Sequence, residues 1–329
     1  MHKKRVYIKA ATQISIQQPL SEAWMEAPIS YSENYVRCID PSFREWLNPL
    51  ESRRMGKILK RALVTSMKVM NDSGISKPDA IITGTGLGCI ENTEIFLNQL
   101  CNEGEEMLKP TCFMQSTHNT ISSLIAIYSK CHGYNSTYSH KNISFDSALL
   151  DAFTQMRLGE IDNALVTGND EMTPSYFNIL QRTGFIGQSG QVPASETSVA
   201  MMLTNDSSDT LCEIEQVDIV YGKDNLPMFP HDVDVVLIGL NGEPVNDDAY
   251  KAMRNSLPNA PEMCYKSLFG ECYTVSALGV YAAAQIINRG TIPSALCKDR
   301  NTPSSVRRVL IVNHSDGKDF SLISLIKQD

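Results

Sequence analysis

The sequence has no apolar run approaching the roughly 18 residues that a membrane helix needs. It also has no CxxC cysteine pair and no lysine–arginine cluster to offset its net charge of −8. The first absence predicts a chain that does not cross a bilayer. The second makes a metal site or disulfide framework a poor expectation: Cys38, Cys89, Cys101, Cys112, Cys131, Cys212, Cys264, Cys272 and Cys297 are odd in number and scattered, which fits reduced thiols in a cytoplasm. The third argues against nucleic-acid and anionic-membrane partners and points to small molecules and proteins. The opening MHKKRVYIKAATQI is expected to be a first strand rather than a secretory leader, because its apolar stretch is short and interrupted by Lys9 and Gln13. Without one, the glycosylation patterns Asn135-Ser-Thr137 and Asn142-Ile-Ser144 are chance matches. What is present is ordinary globular material: 329 residues, 42% hydrophobic and 20% charged, enough for one large or two medium domains.

Apolar residues recur in an order that alternates strands and helices. VYIKAATQI is the first strand, and a loop-rich stretch follows to about Pro49. A helix is expected from about Glu51 to Ser73, with Met55, Ile58, Leu59, Leu63 and Met67 at helical spacings and Arg53, Arg54, Lys57 and Lys60 elsewhere around it. Asp79–Thr83 reads as a buried strand. Thr120–Lys130 reads as a helix so poor in charge that a central position is expected. Helix Ser147–Leu158 and strands Asp162–Thr167 and Thr197–Leu203 come next. Strands Cys212–Tyr221 and Val233–Leu240, helix Ala277–Asn288 and strands Arg308–Asn313 and Phe320–Ile326 complete the series. The alternation runs twice, which predicts a layered α/β/α/β/α body of two similar halves, residues 1–205 and 206–329.

Gly84-Thr-Gly86-Leu-Gly88 follows a strand, yet its spacing is GxGxG rather than GxGxxG, with no acidic residue placed to hold a ribose. A tight strand-to-helix turn is expected there, and no cofactor. Further on, PTCFMQSTHNTISSLIAI sets His118 and Asn119 at the mouth of an apolar helix. Capping of that helix by Ser116 or Thr117 is one reading, and a ligand-facing role for His118 and Asn119 is the other.

Taken in order, IITGTGLGCIENTEIFLNQL and KPTCFMQSTHNTISSLIAI resemble the N-terminal half of β-ketoacyl-acyl carrier protein synthases. They are most similar to the bacterial subgroup associated with aryl polyene and flexirubin-type pigments. Gly133-Tyr-Asn135 takes the place of the family's GPN. Leu158-Gly-Glu-Ile-Asp162 and Leu165-Val-Thr-Gly168 resemble the helix end and strand that follow, and Ser195-Glu-Thr-Ser198 replaces GEGA. The resemblance covers most of the chain and implies a thiolase-like fold and a cytoplasmic dimer.

Condensing enzymes of that family carry the acyl chain on a cysteine at a sharp turn into a buried helix, and two histidines assist decarboxylation. Counting from Gly133 puts Asn142 at the cysteine's position, and an amide cannot form a thioester. Ser144 offers a hydroxyl at the same turn, with His140 nearby. In the loop of the first histidine Gly239 replaces the imidazole, while Gly242, Asn246 and Asp247 keep the turn chemistry. Lys266-Ser-Leu-Phe-Gly270 reproduces the family's K-S-x-x-G, after which Glu271 stands for the second histidine. A buried Lys266–Glu271 ion pair is the expected role there. Cys272 is expected as a small core residue rather than a relocated thiol. Of the C-terminal NxFGFGG turn only Asn313 and one glycine match, and His314 is expected in an exposed turn. The chain is shorter than the family's norm, with the shortfall expected around residues 188–265.

The resemblance therefore implies a chain-length-factor-like subunit that pairs with an active ketosynthase, or with itself, and in which His118, Asn119 and the helix from Thr120 lie at or near the interface. Acyl carrier protein is a further implied partner. The alternative is a divergent acyltransferase or malonyl decarboxylase using Asn142, Glu271, Ser144 or Cys272. A third reading is a homodimer with no acyl substrate and a filled tunnel.

Overall fold

Most strands of this chain carry apolar residues on both faces, and the computed structural model shows how these are hidden. The structure describes residues 3–328, except 106–107, 109, 188–189, 191, 223–224, 226–228, 231 and 298–302. Its strands are β1 (Val6–Ile14), β2 (Ala80–Gly84), β3 (Tyr134–Tyr138), β4 (Asn163–Asp170), β5 (Thr197–Thr204), β6 (Cys212–Tyr221), β7 (Val235–Ile238), β8 (Glu262–Cys264), β9 (Arg308–Ser315) and β10 (Asp319–Ile326). Its α-helices are α1 (Pro49–Ser52), α2 (Lys57–Ser73), α3 (Ile90–Glu103), α4 (Pro110–Met114), α5 (Thr120–Ser129), α6 (Ser144–Leu158), α7 (Pro174–Arg182), α8 (Pro244–Met253), α9 (Lys266–Phe269) and α10 (Ser276–Arg289).

The strands bond continuously in the order β3-β2-β4-β5-β1-β6-β10-β9-β7-β8. Within β1–β5 the first strand pairs antiparallel with the fifth, the fifth antiparallel with the fourth, and the second parallel with both fourth and third. The same pairings recur among β6–β10. Among the described residues the two sets are joined into one sheet where Val6–Ile8 of β1 pairs with Cys212–Ile214 of β6.

Alternation along each strand sends neighbouring residues to different cores. Ala80 and Ile82 of β2 join one core and Ile81 another, as do Ala164 and Val166 against Leu165 in β4. The first core holds α6 and α10 together with residues from both strand sets, so the sheet folds around these two helices. The other faces are covered by α2 and α5 on one side and by α8 on the other. This is the expected α/β/α/β/α layering, and it follows from giving each sheet face a helix layer.

Two expectations are corrected. The helix expected from Glu51 to Ser73 is two helices: Asn48 caps the short α1 by accepting from the Leu50 amide, and α2 starts afresh after Gly56. The central helices are α6 and α10 rather than Thr120–Lys130. Helix α5 is half-covered, with Ile121, Ser122 and Ile125 buried and Ile127 70% exposed. Its low charge marks an apolar face open on this chain. By contrast Ser276–Ile287 of α10 is wholly buried.

Candidate functional site

Helix α6 begins at a turn of 3-10 helix, Lys141–Ile143, in which Lys141 takes the left-handed φ of 46°. Gly133 precedes it, and a side chain there would drive into the carbonyl of Asp79, so the turn into β3 requires glycine. Asn142 is buried, and its carbonyl accepts a 2.7 Å bond from Asn313 Nδ2. Ser144 Oγ donates to the Lys141 carbonyl at 2.6 Å and accepts from the His140 amide at 2.8 Å. Its proton is therefore committed to the backbone, as in a helix cap, and its partners include no imidazole.

Behind this turn Asp146 is fully buried. It accepts bonds from Ser276 of α10 (2.6 Å), from Ser321 of β10 and from Asn313 of β9 (3.4 Å). Burial raises its carboxyl above the usual range, against the pull of those donors. The network ties the start of α6 to three elements from later in the chain.

Gly239 faces the same region from the end of β7. A β-carbon there would fall on the Tyr250 hydroxyl and lie 2.9 Å from that of Tyr265 and 3.1 Å from Lys266 Cε. The two tyrosines, both buried, fill the space beside Gly239, and Tyr250 donates to Asn313 Oδ1 at 3.2 Å. Lys266 Nζ meets Glu271 Oε2 at 2.6 Å with both side chains 1% exposed, and Asn241 Nδ2 adds a 2.9 Å bond to the same oxygen. Glu271 Oε1 has no hydrogen-bond partner among the described residues, and burial raises this carboxyl. Cys272 is buried beside an apolar pocket formed by Met172, Leu180, Phe185 and Ile186, and burial lifts its thiol far from the thiolate form.

His314 lies in β9 and is buried, contrary to the expected exposed turn. Its Nε2 donates to the Asn246 carbonyl (2.9 Å) and its Nδ1 accepts from the Gly317 amide (3.2 Å), so the ring is neutral and fully used. Burial, and next Lys266, push its pKa down to about 4. His118 and Asn119 are exposed, with His118 resting on the Gly88 turn. Neither Ser116 nor Thr117 caps α5: Ser116 Oγ bonds back to Phe113, and Thr117 Oγ1 pairs with Thr120 Oγ1. Cys131 Sγ turns to the Pro78 carbonyl, away from α6. The glycine turn is closed internally, because the Gly86 and Leu87 amides donate to buried Asp170.

Residues 21–229 match the family described as "Beta-ketoacyl synthase, N-terminal domain". The chain belongs to the β-ketoacyl synthase family. Among solved structures it is similar to the ishigamide ketosynthase/chain length factor, with a TM-score of 0.81 at 18% identity, covering 99% of this chain and 100% of that one. A β-ketoacyl synthase from Burkholderia phymatum STM815 gives a TM-score of 0.79 at 13% identity, covering 99% and 100%. The ketosynthase ApeO with its chain length factor ApeC, from Xenorhabdus doucetiae, gives 0.78 at 14%, covering 99% and 98%. No curated protein matches the chain. At such identities these likenesses establish a thiolase-like fold.

Several residues of this site escaped sequence reasoning. Asp146 and Asp170 each adjoin an apolar run, a position where a carboxylate demands partners, and that was a usable signal. Glu196 was quoted only as part of a motif; in the fold it binds buried Arg61 at 2.8 Å and the Cys38 amide at 3.0 Å. Tyr250 and Tyr265 carried no local signal, since neither stands within a motif.

Proposed function

We propose that this protein is a non-condensing, chain-length-factor-like subunit that pairs with an active ketosynthase of a type II polyketide-like system. The observation that carries the reading is the filling of the space beside Gly239 by Tyr250 and Tyr265, next to a helix entrance held by Asn142. With Asn142, Gly239 and Glu271 at the positions of the cysteine and two histidines, the chain has no thiolate to load and no imidazole to aid decarboxylation. Its part is then to supply a wall for the growing acyl chain and buried area for the partner. An aryl polyene-type product, cytoplasmic residence and the halves 1–205 and 206–329 belong to the same proposal; the recurring strand order supports the halves.

The partner surface we assign is the free edge of β3 with α5 and α4. Phe113 (58% exposed), Met114 (71%) and Ile127 (70%) present apolar side chains there, and His118 and Asn119 lie among them. Among solved structures, a ketosynthase and its chain length factor are seen in complex in one match, and a ketosynthase with an acyl-carrier protein in another. Intact-mass spectrometry of the chain, alone and co-expressed with a synthase, after exposure to malonyl- and acyl-loaded carrier protein tests the reading. Adducts confined to a co-purifying partner are expected, and an acyl adduct on this chain alone, at Ser144 or Cys272, would overturn it.

A further inference from the structure

A cavity of about 540 Å³ opens on the outer side of the first strand set, the side that α2 covers and α6 does not. Three stretches meet around it. The 3-10 turn Phe43–Glu45 and the residue before it bring Ser42, Phe43 and Arg44, the end of α1 brings Arg53, and the first turn of α2 brings Lys60. Buried Leu47 also lines it. The volume is within the range of small-molecule sites, and no aspartate or glutamate lines the cavity among the described residues.

In a chain of net charge −8, three cations around one space call for a counter-charge. Their neighbours on α2 have one: Lys57 and Arg61 both pair with Asp40, at 3.3 and 2.5 Å. Arg44, Arg53 and Lys60 have no carboxylate within ion-pair distance among the described residues. Lys60 Nζ instead stands over the Phe43 ring, 6.0 Å from its centroid. Ser42 holds the cap position of the turn Phe43–Glu45, yet its hydroxyl bonds to none of the turn's amides, which leaves a further donor at the rim.

We propose that this cavity binds a phosphate monoester carrying an aromatic group, such as a nucleoside monophosphate. A carboxylate would bring one charge and two oxygens to three cations, whereas a phosphate monoester brings a charge of about −1.5 to −2 and three strong acceptor oxygens. The planar forks of Arg44 and Arg53 match those oxygens two at a time, and Lys60 adds a point charge. Phe43 decides the other end of the ligand. The ring face that Lys60 now covers is freed when the ammonium turns to the phosphate, and an aromatic group stacks there. The site does not rest on the partner role proposed above, and none of the residues named for that surface lines it.

The test is isothermal titration of the full-length protein with adenosine 5′-monophosphate, inorganic phosphate and adenosine. The monophosphate is expected to bind at one site per chain, inorganic phosphate more weakly and adenosine not at all. Arg44→Ala and Arg53→Ala should each weaken the monophosphate about tenfold. Phe43→Leu should weaken it roughly fivefold and leave inorganic phosphate unchanged, a split that diffuse charge attraction would not give. Arg54→Ala, an exposed cation beside the cavity but outside its lining, should change nothing. Thermal melting of each variant shows that a loss of binding is not a loss of folding. No binding of the monophosphate, adenosine binding as well as the monophosphate, equal losses in Arg53→Ala and Arg54→Ala, or a polyglutamate peptide competing as well as inorganic phosphate would overturn the proposal.

Discussion

The two sets of five strands share one order and one pairing pattern, yet they are covered unequally. Residues 15–79 join β1 to β2 and supply α2, whereas only residues 222–234 join β6 to β7. Strand β1 is buried along nearly its whole length, but β6 is buried only at Cys212, Ile214 and Val217. The expected shortfall at residues 188–265 includes this link, part of which lies outside the described residues. Economy in the second strand set falls on the outer layer, while Ser276–Ile287 of α10 in the central layer remains buried. Burial between the strand sets is what the fold must keep. The entrances to the two central helices differ in kind as well: α6 is held by hydroxyl and amide bonds to the backbone, and the approach to α10 by a buried ion pair.

That contrast breaks most visibly at Lys266. Lys266→Met strands the Glu271 carboxylate, and chemical denaturation should show a loss of about 3–5 kcal/mol, mostly recovered in the Lys266→Met/Glu271→Leu double variant. At the other entrance, Ser144→Ala should cost only about 1 kcal/mol. Equal costs would mean that the two entrances are built alike after all.

Two buried groups, His314 and Glu171, should respond to pH with opposite signs. His314 titrates at about 4 in the fold against an ordinary 6.5, so the unfolded chain takes its proton first and stability falls as pH drops through that window. Glu171, in the N-terminal half, is raised by burial to about 7 from an ordinary 4.5, so the folded chain holds its proton longer. Its contribution, present below 4.5, is lost as pH rises toward 7. His314→Gln should flatten the acid-side fall and Glu171→Gln the fall toward neutrality, each by up to about 3 kcal/mol in denaturation series across pH. Slopes unchanged in either variant would remove that group from the account.

A smaller effect sharpens the filled space. Gly239→Ala should cost about 1–3 kcal/mol by overpacking against Tyr250, and adding Tyr250→Phe should return part of it. The smallest effect on the chain itself should come from Ile127→Asp, within about 0.5 kcal/mol because the side chain is exposed. The same variant should nonetheless lose a co-purifying synthase; retention would move the partner surface elsewhere.

The strands other than the short β3 and β8 were legible because apolar patterning and flanking turn residues are local properties of the chain. So were the glycine turn and the Lys266–Glu271 pair, which lies within one short motif. The depth at which an element sits was another matter. Helix α5 looked central because low charge reports an apolar surface without saying what covers it, and His314 looked exposed because its turn-like neighbours hid that β9 runs on to Ser315 and that the ring is bonded to the Asn246 carbonyl and the Gly317 amide. The tyrosines beside Gly239 and the three donors to Asp146 come from segments far apart in sequence. By itself the sequence determined most of the strands, several of the helices and their order, since backbone preference and periodicity act over a few residues. Only the tertiary structure decided which polar groups meet and which space is filled, because burial and partnership depend on what distant segments bring to the same place.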